Sequence, residues 1–209
     1  LLLVAGKGHE KIQDYGNKKL FFSDREVILK SIKFKNKSLS HDLKLNIIGE
    51  ESKSKILNKL KIENISINSK NIKKNDAFFA IKGKRIDGNK FVPEAFKKNC
   101  SLAIVSRVNR NYLSKKQVKV KNTLSFLTKC SSILRDNINA KIISITGSCG
   151  KTTLKEMIGS TLKQLSRTTY SPKSFNNKYG VPLSLFNLKH NDEFGVFEVG
   201  MDKKGEIDK

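Results

Sequence analysis

The sequence predicts an α/β fold, and three observations carry the prediction. Short β-branched and aromatic runs alternate with helical patterns from about residue 61 onward. An Ile-rich run, Lys141–Ile145, stops at a glycine loop that opens onto a helix at Lys151-Thr152-Thr153. A second apolar run, Phe194–Val199, carries a carboxylate, Glu198, near its end. Strands that alternate with helices build parallel sheets, and ligand-binding loops gather at the carboxyl ends of their strands.

Taken in order, Leu1–Ala5 reads as a buried strand and Gly6-Lys7-Gly8-His9-Glu10 as the loop after it. Ser23-Asp24-Arg25-Glu26 is a capping box, with a hydroxyl at the cap and a carboxylate three residues on, and opens a short helix through Ile32. Residues 33–60 are rich in Lys, Ser and Asn and weakly patterned, as expected of a linker with one helical stretch near Lys53–Leu60. Residues 61–120 read as a small α/β unit, with strands at Asn64–Ile67, Ala77–Ile81, Leu102–Ser106 and Val118–Val120 and a helix near Phe91–Asn99. From Asn122 to Ile138, apolar residues recur at Leu124, Leu127, Ile133, Leu134 and Ile138, which is helical spacing. The strand Lys141–Ile145 follows, then a helix over Thr152–Leu165 and a strand at Thr168–Tyr170. A Ser/Asn loop, a helix over Val181–Leu188 and the strand Phe194–Val199 complete the pattern, and no internal repeat is present.

Composition narrows the function. The 209 residues carry a formal net charge of +23, which invites nucleic acid as a partner. The distribution speaks against it. Arginine occurs only at Arg25, Arg85, Arg107, Arg110, Arg135 and Arg167, the lysines are scattered among Asn and Ile, and aromatic residues do not interleave with them as a stacking platform requires. A preference for anionic, phosphate-bearing small ligands fits better. Cys100, Cys130 and Cys149 show no metal-ligand spacing, and an odd count without a framework suits a reducing cytosol. No apolar run approaches the ~20 residues of a membrane span, and Leu1–Ala5 is too short for a signal sequence. The chain opens on Leu-Leu-Leu-Val, with methionine only at Met157 and Met201, so it is expected to be an internal piece of a longer chain. With no methionine between Glu26 and Leu60, both sides are expected to share one reading frame.

The segment Gly147-Ser148-Cys149-Gly150-Lys151-Thr152-Thr153 is the most informative in the chain. A strand, a glycine loop and a helix start hold a nucleotide polyphosphate, because loop N–H groups and the positive end of the helix face its oxygens. Lys151 is placed to reach the β/γ-phosphates, the Thr152 hydroxyl to ligate Mg²⁺, and Thr153 to bind phosphate through its N–H and hydroxyl. The spacing is shorter than G-x-x-x-x-G-K-[ST], since Ile145 stands where that pattern has its first glycine. The competing reading is a plain glycine turn between a strand and a helix. Glu198, at a strand's carboxyl end, can complete the Mg²⁺ site; otherwise it is an exposed terminal glutamate. Cys149, inside the loop, is expected to be a reactive thiol whose alkylation blocks ATP binding.

Three segments together resemble the Mur ligases: Thr146-Gly-Ser-Cys-Gly-Lys-Thr-Thr, Ser174-Phe-Asn-Asn-Lys-Tyr-Gly-Val-Pro-Leu and Phe197-Glu-Val-Gly-Met. Within that family the likeness is to the MurF type, which joins D-alanyl-D-alanine to UDP-N-acetylmuramoyl-tripeptide. Upstream, Ile65-Ser-Ile-Asn-Ser-Lys, Ala77-Phe-Phe-Ala-Ile-Lys-Gly and Asp87-Gly-Asn-Lys-Phe-Val look like the substrate-binding domain of the same family. Residues 1–32, with Val4-Ala-Gly-Lys-Gly-His-Glu-Lys-Ile-Gln and Phe22-Ser-Asp-Arg-Glu, are similar instead to the C-terminal end of MurE-type ligases. The expected organisation is a MurE-like remnant (1–32), a linker (33–60), a substrate domain (61–120) and a truncated ATP-binding domain (121–209).

The resemblance implies an ATP- and Mg²⁺-dependent amide ligase of peptidoglycan precursor synthesis that works through an acyl phosphate. It implies UDP-N-acetylmuramoyl-tripeptide and D-alanyl-D-alanine as partners; the chain is expected to be a cytoplasmic monomer with no nucleic-acid partner and no membrane span. It places Asn176 and Asn177 near the reacting groups beside Lys151 and Glu198, although turn formation is an ordinary use of Asn. Ser69, Lys70, Asp87 and Gly88 become candidates for the nucleotide-sugar end. Here Asn68-Ser69-Lys70 stands where the family pattern reads Asp-Ser-Arg, so the bidentate fork of arginine is missing, and Asp87-Gly88 is also a turn signal. Gly6 and Glu10 become candidates for the amino-acid substrate of the upstream enzyme, with His9 structural. The family's C-terminal domain, with its carbamylated lysine, is expected beyond residue 209, leaving this piece inactive in ligation alone. The competing expectations are a folylpolyglutamate-synthetase-like ligase and a P-loop ATPase that binds nucleic acid.

Overall fold

The structure, a computed structural model, describes residues 12–14, 16–17, 19–21, 23, 26, 43–53, 60–83, 85–172 and 174–200. The chain divides into two compact units, Leu1–Ser40 and His41–Lys209. In the first, β1 (Ile12–Asp14) pairs antiparallel with β2 (Lys19–Phe21), with Ile12 opposite Phe21 and the intervening turn passing through Gly16 at φ 79°. Sequence patterning did not anticipate this hairpin, because three-residue strands leave too little alternation to read. The Ser23 hydroxyl accepts from the Glu26 N–H at 3.4 Å, one half of the expected capping box. The expected strand Leu1–Ala5, along with Gly6, His9 and Glu10, lies outside the described residues.

The second unit begins with α1 (Leu43–Ser52). It lies upstream of the helical stretch expected near Lys53–Leu60, within what reads as a linker. Leu43, Lys44, Leu45, Ile47 and Ile48 are all buried. A helix buried on nearly every side has no polar face to set the 3.6-residue contrast that sequence patterning detects.

A parallel sheet of order β3-β4-β5-β6 follows: β3 (Ile65–Ser66), β4 (Ala77–Phe79), β5 (Leu102–Val105) and β6 (Gln117–Lys119). Its central strands are buried on both faces, as the continuous apolar runs Ala77-Phe78-Phe79 and Leu102-Ala103-Ile104-Val105 require. Phe78, Ala80, Ala103 and Val105 form one cluster with Val92 and Ala95 of α2 (Val92–Lys97). Ala77, Phe79, Leu102 and Ile104 face the other way into a larger cluster. Helix α2 has Pro93 in its first turn and gives way to Asn99 in the left-handed region at φ 61°, a stop that asparagine tolerates.

Helix α3 (Thr123–Asp136) starts at Asn122, whose side chain accepts from the N–H groups of Leu124 and Ser125 at 3.0 Å each. The Thr123 hydroxyl donates to the Ala80 carbonyl at 3.1 Å and ties α3 to the end of β4. A second parallel sheet has order β7-β9-β8: β7 (Lys141–Ile145), β8 (Thr168–Tyr170) and β9 (Phe194–Glu198). Helix α4 (Lys151–Leu165) connects β7 to β8, and α5 (Gly180–Phe186) lies between β8 and β9. Of β7 only Ile145 is fully buried, since the strand is an edge among the described residues. The larger cluster is continuous from α1 through Phe79, Leu127 and Leu134 to Leu183, Phe186 and Phe197. At its centre the Phe79 ring meets Phe186 edge-on, with centroids 6.1 Å apart.

Asn187, just past α5, couples the parts in a second way. Its side-chain carbonyl accepts from the Ile65 N–H at 2.8 Å, and its amide donates to the Ile65 carbonyl at 3.1 Å, so a side chain occupies the place of another strand beside β3. Among the described residues, no helix is long and apolar enough to cross a membrane.

Candidate functional site

Because β7, β8 and β9 run parallel, their carboxyl ends share one edge. Ile145 lies opposite Glu198 in register, and Tyr170 opposite Val196. The glycine loop, the loop after Tyr170 and the Glu198 carboxylate therefore meet, although they are far apart in sequence.

The glycine loop owes its course to two backbone positions. Gly147 has φ 142° and Gly150 φ 75°, values that side-chain-bearing residues rarely adopt. Gly150 is the cap residue of α4, and its carbonyl already accepts from the Leu154 N–H at 2.9 Å. The N–H groups of the first turn of a helix lack intrahelical partners, so the start of this fifteen-residue helix points donors and a partial positive charge at the loop. Gly147, Ser148, Cys149 and Gly150 are all exposed. The Lys151 ammonium donates to the Gly147 carbonyl at 2.6 Å and reaches Ser148 O at 3.4 Å, lying across the loop's own mouth.

Behind the loop is a buried polar group. Glu198 is 1 % exposed, and both carboxylate oxygens are engaged. The Thr152 hydroxyl donates to Oε2 at 2.8 Å, and the Asn176 amide donates to Oε1 at 2.7 Å. The Glu198 N–H reaches Ser171 Oγ at 3.5 Å. Burial of a carboxylate is costly unless charge or hydrogen bonds compensate. Here the compensation comes from neutral donors, with no ion pair to Glu198 among the described residues. The terminal-glutamate alternative does not describe this residue, because the strand end is covered by the loop carrying Ser174 and Asn176.

Such a set fits a hard divalent cation. A hydroxyl oxygen and a carboxylate stand side by side, and among the described residues no cluster of three or more His, Cys, Asp or Glu exists to cage a metal without help. Mg²⁺ is held in this way, by one or two protein oxygens plus phosphate and water.

The other expected residues distribute as follows. Thr153 is exposed at the start of α4. The Asn177 side-chain oxygen accepts from the N–H groups of Tyr179 and Gly180 at 3.0 Å each, so it forms the turn into α5, the turn use of asparagine set out above. In the first sheet, Ser69 is buried and donates to Glu94 Oε2 at 2.8 Å. Lys70 is exposed, and its N–H is held by the Asn68 side chain at 3.0 Å. Asp87 accepts from the Asn89 N–H at 3.0 Å, the Asn89 amide at 2.6 Å and the Arg107 guanidinium at 2.6 Å. Those donations, Asn89 first and Arg107 after it, hold its carboxyl down to about 2. A Cβ on Gly88 would lie 2.6 Å from the Ile81 carbonyl oxygen, so the glycine permits a close backbone crossing. No hydrogen bond joins these four residues to Lys151, Thr152 or Glu198 among the described residues. Where Gly88 crosses Ile81, a cavity of about 170 Å³ is lined by Ile81, Lys82, Ser106, Lys121, Asn122 and Thr123, among others.

Sequence reasoning leaves two residues near the start of α4 unassigned. Ser174 places its hydroxyl 3.4 Å from that of Thr152. Lys155, four residues after Lys151 on α4, is wholly buried and pairs with Glu156 at 2.8 Å. The spacing of Lys151, Lys155 and Gly159 is a helix face, and the close contact of Gly159 with the Tyr170 ring shows that this face meets the sheet.

Comparisons with known proteins agree on one family. Residues 61–133 match the Mur ligase family catalytic domain, and residues 145–209 the Mur ligase middle domain. The UDP-N-acetylmuramoyl-tripeptide–D-alanyl-D-alanine ligase of Buchnera aphidicola (subsp. Acyrthosiphon pisum) is 36% identical over 148 residues, covering 71% of this chain and 32% of that protein. The protein of the same name from Haemophilus influenzae is 32% identical over 180 residues, 84% of this chain and 38% of its own length. Among solved structures, the UDP-N-acetylmuramoylalanyl-D-glutamyl-2,6-diaminopimelate–D-alanyl-D-alanyl ligase of Acinetobacter baumannii superposes with a TM-score of 0.66 at 33% identity, covering 78% of this chain and 37% of that one. The MurF ligase of Thermotoga maritima, solved with ADP, gives 0.57 at 31% identity, covering 72% and 35%. The chain thus spans about a third of the length of the curated relatives it matches.

Proposed function

Since the chain belongs to the Mur ligase family, we propose that it forms the substrate- and ATP-binding front of an amide ligase that joins D-alanyl-D-alanine to UDP-N-acetylmuramoyl-tripeptide. The observation that carries this reading is the bond from Thr152 to the buried Glu198 carboxylate beside the Lys151 loop. The names of the matched relatives, and the ADP bound by the Thermotoga maritima protein, support the substrates.

The chemistry requires an activated carboxylate, because oxide is a poor leaving group. A carboxylate oxygen of the tripeptide bonds to the γ-phosphorus of ATP as the bond to the β,γ-bridging oxygen breaks, giving an acyl phosphate and ADP. The amine of D-alanyl-D-alanine then bonds to the acyl carbon, loses a proton, and phosphate departs. Such transfers depend chiefly on positioning and charge neutralisation.

The residues divide that work. Lys151 exchanges the loop carbonyls for phosphate oxygens, and the N–H groups of Ser148 to Thr153 line the polyphosphate. Thr152 and Glu198 would hold Mg²⁺, which when bound neutralises phosphate charge. Asn176, fixed on Glu198, keeps that carboxylate oriented. Ser69, Lys70, Asp87 and Gly88 shape the nucleotide-sugar end, with Asp87 acting through the turn it holds. The likeness of residues 1–32 to the end of a MurE-type ligase supports a fused upstream enzyme, which the flanking DNA sequence decides.

ADP release by the intact enzyme tests the proposal. Stimulation by UDP-N-acetylmuramoyl-tripeptide plus D-alanyl-D-alanine is expected, with amide product in equal amount. Stimulation by DNA or RNA alone would replace this reading with that of a nucleic-acid-dependent ATPase.

A further inference from the structure

We infer that Ser174 supplies a second hydroxyl to the cation–nucleotide site, beside that of Thr152. The inference rests on the nucleotide reading above and adds a residue to it.

Ser174 lies in the loop after β8, with its Oγ 3.4 Å from Thr152 Oγ1. Thr152 has one hydroxyl proton, which goes to Glu198 Oε2 at 2.8 Å. Of the two hydroxyls, Ser174 is therefore the one that donates between them. At 3.4 Å this contact is long for an O–H···O bond, whose usual range ends near 3.0 Å. Ser174 is thus not held in place by Thr152. Its backbone is what fixes it: its carbonyl accepts from the Asn176 N–H at 2.9 Å. The Asn176 side-chain amide donates to Glu198 at 2.7 Å, and the Asn176 backbone carbonyl accepts from the Gly200 N–H at 2.8 Å.

The result is a hydroxyl on an exposed loop residue, positioned through Asn176 by the buried Glu198 and weakly engaged itself. Three hard-oxygen groups of two kinds come together there: the Thr152 and Ser174 hydroxyls and the Glu198 carboxylate. A cation held by the Thr152 oxygen would compete with the long Ser174 contact, and the Ser174 oxygen would then be able to serve the cation, directly or through one of the waters Mg²⁺ retains.

The test uses Mn²⁺ as the probe, with the complete chain and ADP. Mn²⁺ affinity is read by electron paramagnetic resonance, and ADP affinity with EDTA present is read by calorimetry. Ser174→Ala should weaken Mn²⁺ binding in the ADP complex by about 3- to 10-fold, the worth of one ordinary hydrogen-bond-scale contact. Metal-free ADP affinity should not change, and Ser174→Thr should restore the Mn²⁺ affinity. Unaltered Mn²⁺ affinity in Ser174→Ala overturns the inference, as does an equal loss with and without metal, which marks a structural role. Thr152→Ala serves as the control. If it abolishes Mn²⁺ binding while Ser174→Ala does nothing, only the inference fails. If the unsubstituted chain binds no Mn²⁺–ADP, the nucleotide reading fails with it.

Discussion

The Thr152 hydroxyl donates to Glu198 across 2.8 Å of space and 46 residues of sequence. The pair joins the first turn of α4 to the end of β9 and leaves a hydroxyl and a carboxylate side by side beneath the glycine loop.

Removing the charge of that pair while keeping its shape should separate binding from folding. In Glu198→Gln, the Asn176 amide can rotate to accept where it now donates, so the unfolding midpoint should stay close to that of the parent. Mg²⁺-dependent nucleotide affinity should fall about 10- to 100-fold, the range for disturbed metal-site residues. Lys151→Ala should cost about 100-fold or more in turnover of the intact enzyme. Unchanged turnover in Lys151→Ala would remove the basis of the proposed function.

The three cysteines should differ sharply toward iodoacetamide. Burial pushes the Cys100 thiol up to about 11 and Cys130 up to about 12, whereas Cys149 is exposed in the loop. Mass spectrometry of the native chain at pH 8 should find one adduct, on Cys149, and Mg-ATP should slow its formation. Labelling at the same rate with and without nucleotide would place Cys149 away from the ligand.

Lys44 gives a pH signature. Burial first, then the charge of Lys189, lowers it to about 8 against Asp192 and Asp76, while its ammonium donates to the Glu63 carbonyl at 3.1 Å. Between about pH 8 and its ordinary 10.5, the unfolded chain holds a proton that the folded chain has released. Stability from this group therefore rises with pH across that window, by on the order of 3 kcal/mol in total. Cys100 and Cys130 act in the opposite sense above about pH 9, so the comparison must be with Lys44→Met, which retains them. Denaturant midpoints should show the parent gaining on Lys44→Met from pH 8 to 10; parallel curves would refute it.

Asn187→Ala should leave the Ile65 N–H and carbonyl without the partners they now have at 2.8 and 3.1 Å. An unsatisfied backbone group costs about 1–3 kcal/mol. Chemical denaturation should report a loss of that size, and hydrogen exchange at Ile65 should quicken. Slow exchange in the variant would mean that other groups protect this strand.

Much of the second unit was legible in the sequence because its elements have strong local causes. Lys141–Ile145 and Thr168–Tyr170 occupy the predicted ranges. The strand predicted at Phe194–Val199 ends one residue earlier, at Glu198. Asn122 marks the start of α3 by the same capping chemistry that places asparagine there in sequence. Helix α1 was not legible, since a helix buried on most sides shows no periodic contrast. In sequence, the N-terminal motifs read as ligand-contact residues. The structure shows Asp87 held in a local turn by Asn89, which its turn signal announces, while Ser69 turns to Glu94 and Asp87 also meets Arg107, partners 25 and 20 residues away that no local pattern announces.

By itself, then, the sequence determined an α/β chain with a glycine loop at a helix start and a carboxylate at a strand end. Both follow from local conformational preference, which nearby residues set. Only the tertiary structure decided that these two features touch, that Asn176 joins them while Asn177 serves a turn, and that Ser174 stands beside Thr152. Parallel pairing of β7, β8 and β9 fixes those distances, and pairing between strands depends on the packing of the whole core and not on any one segment.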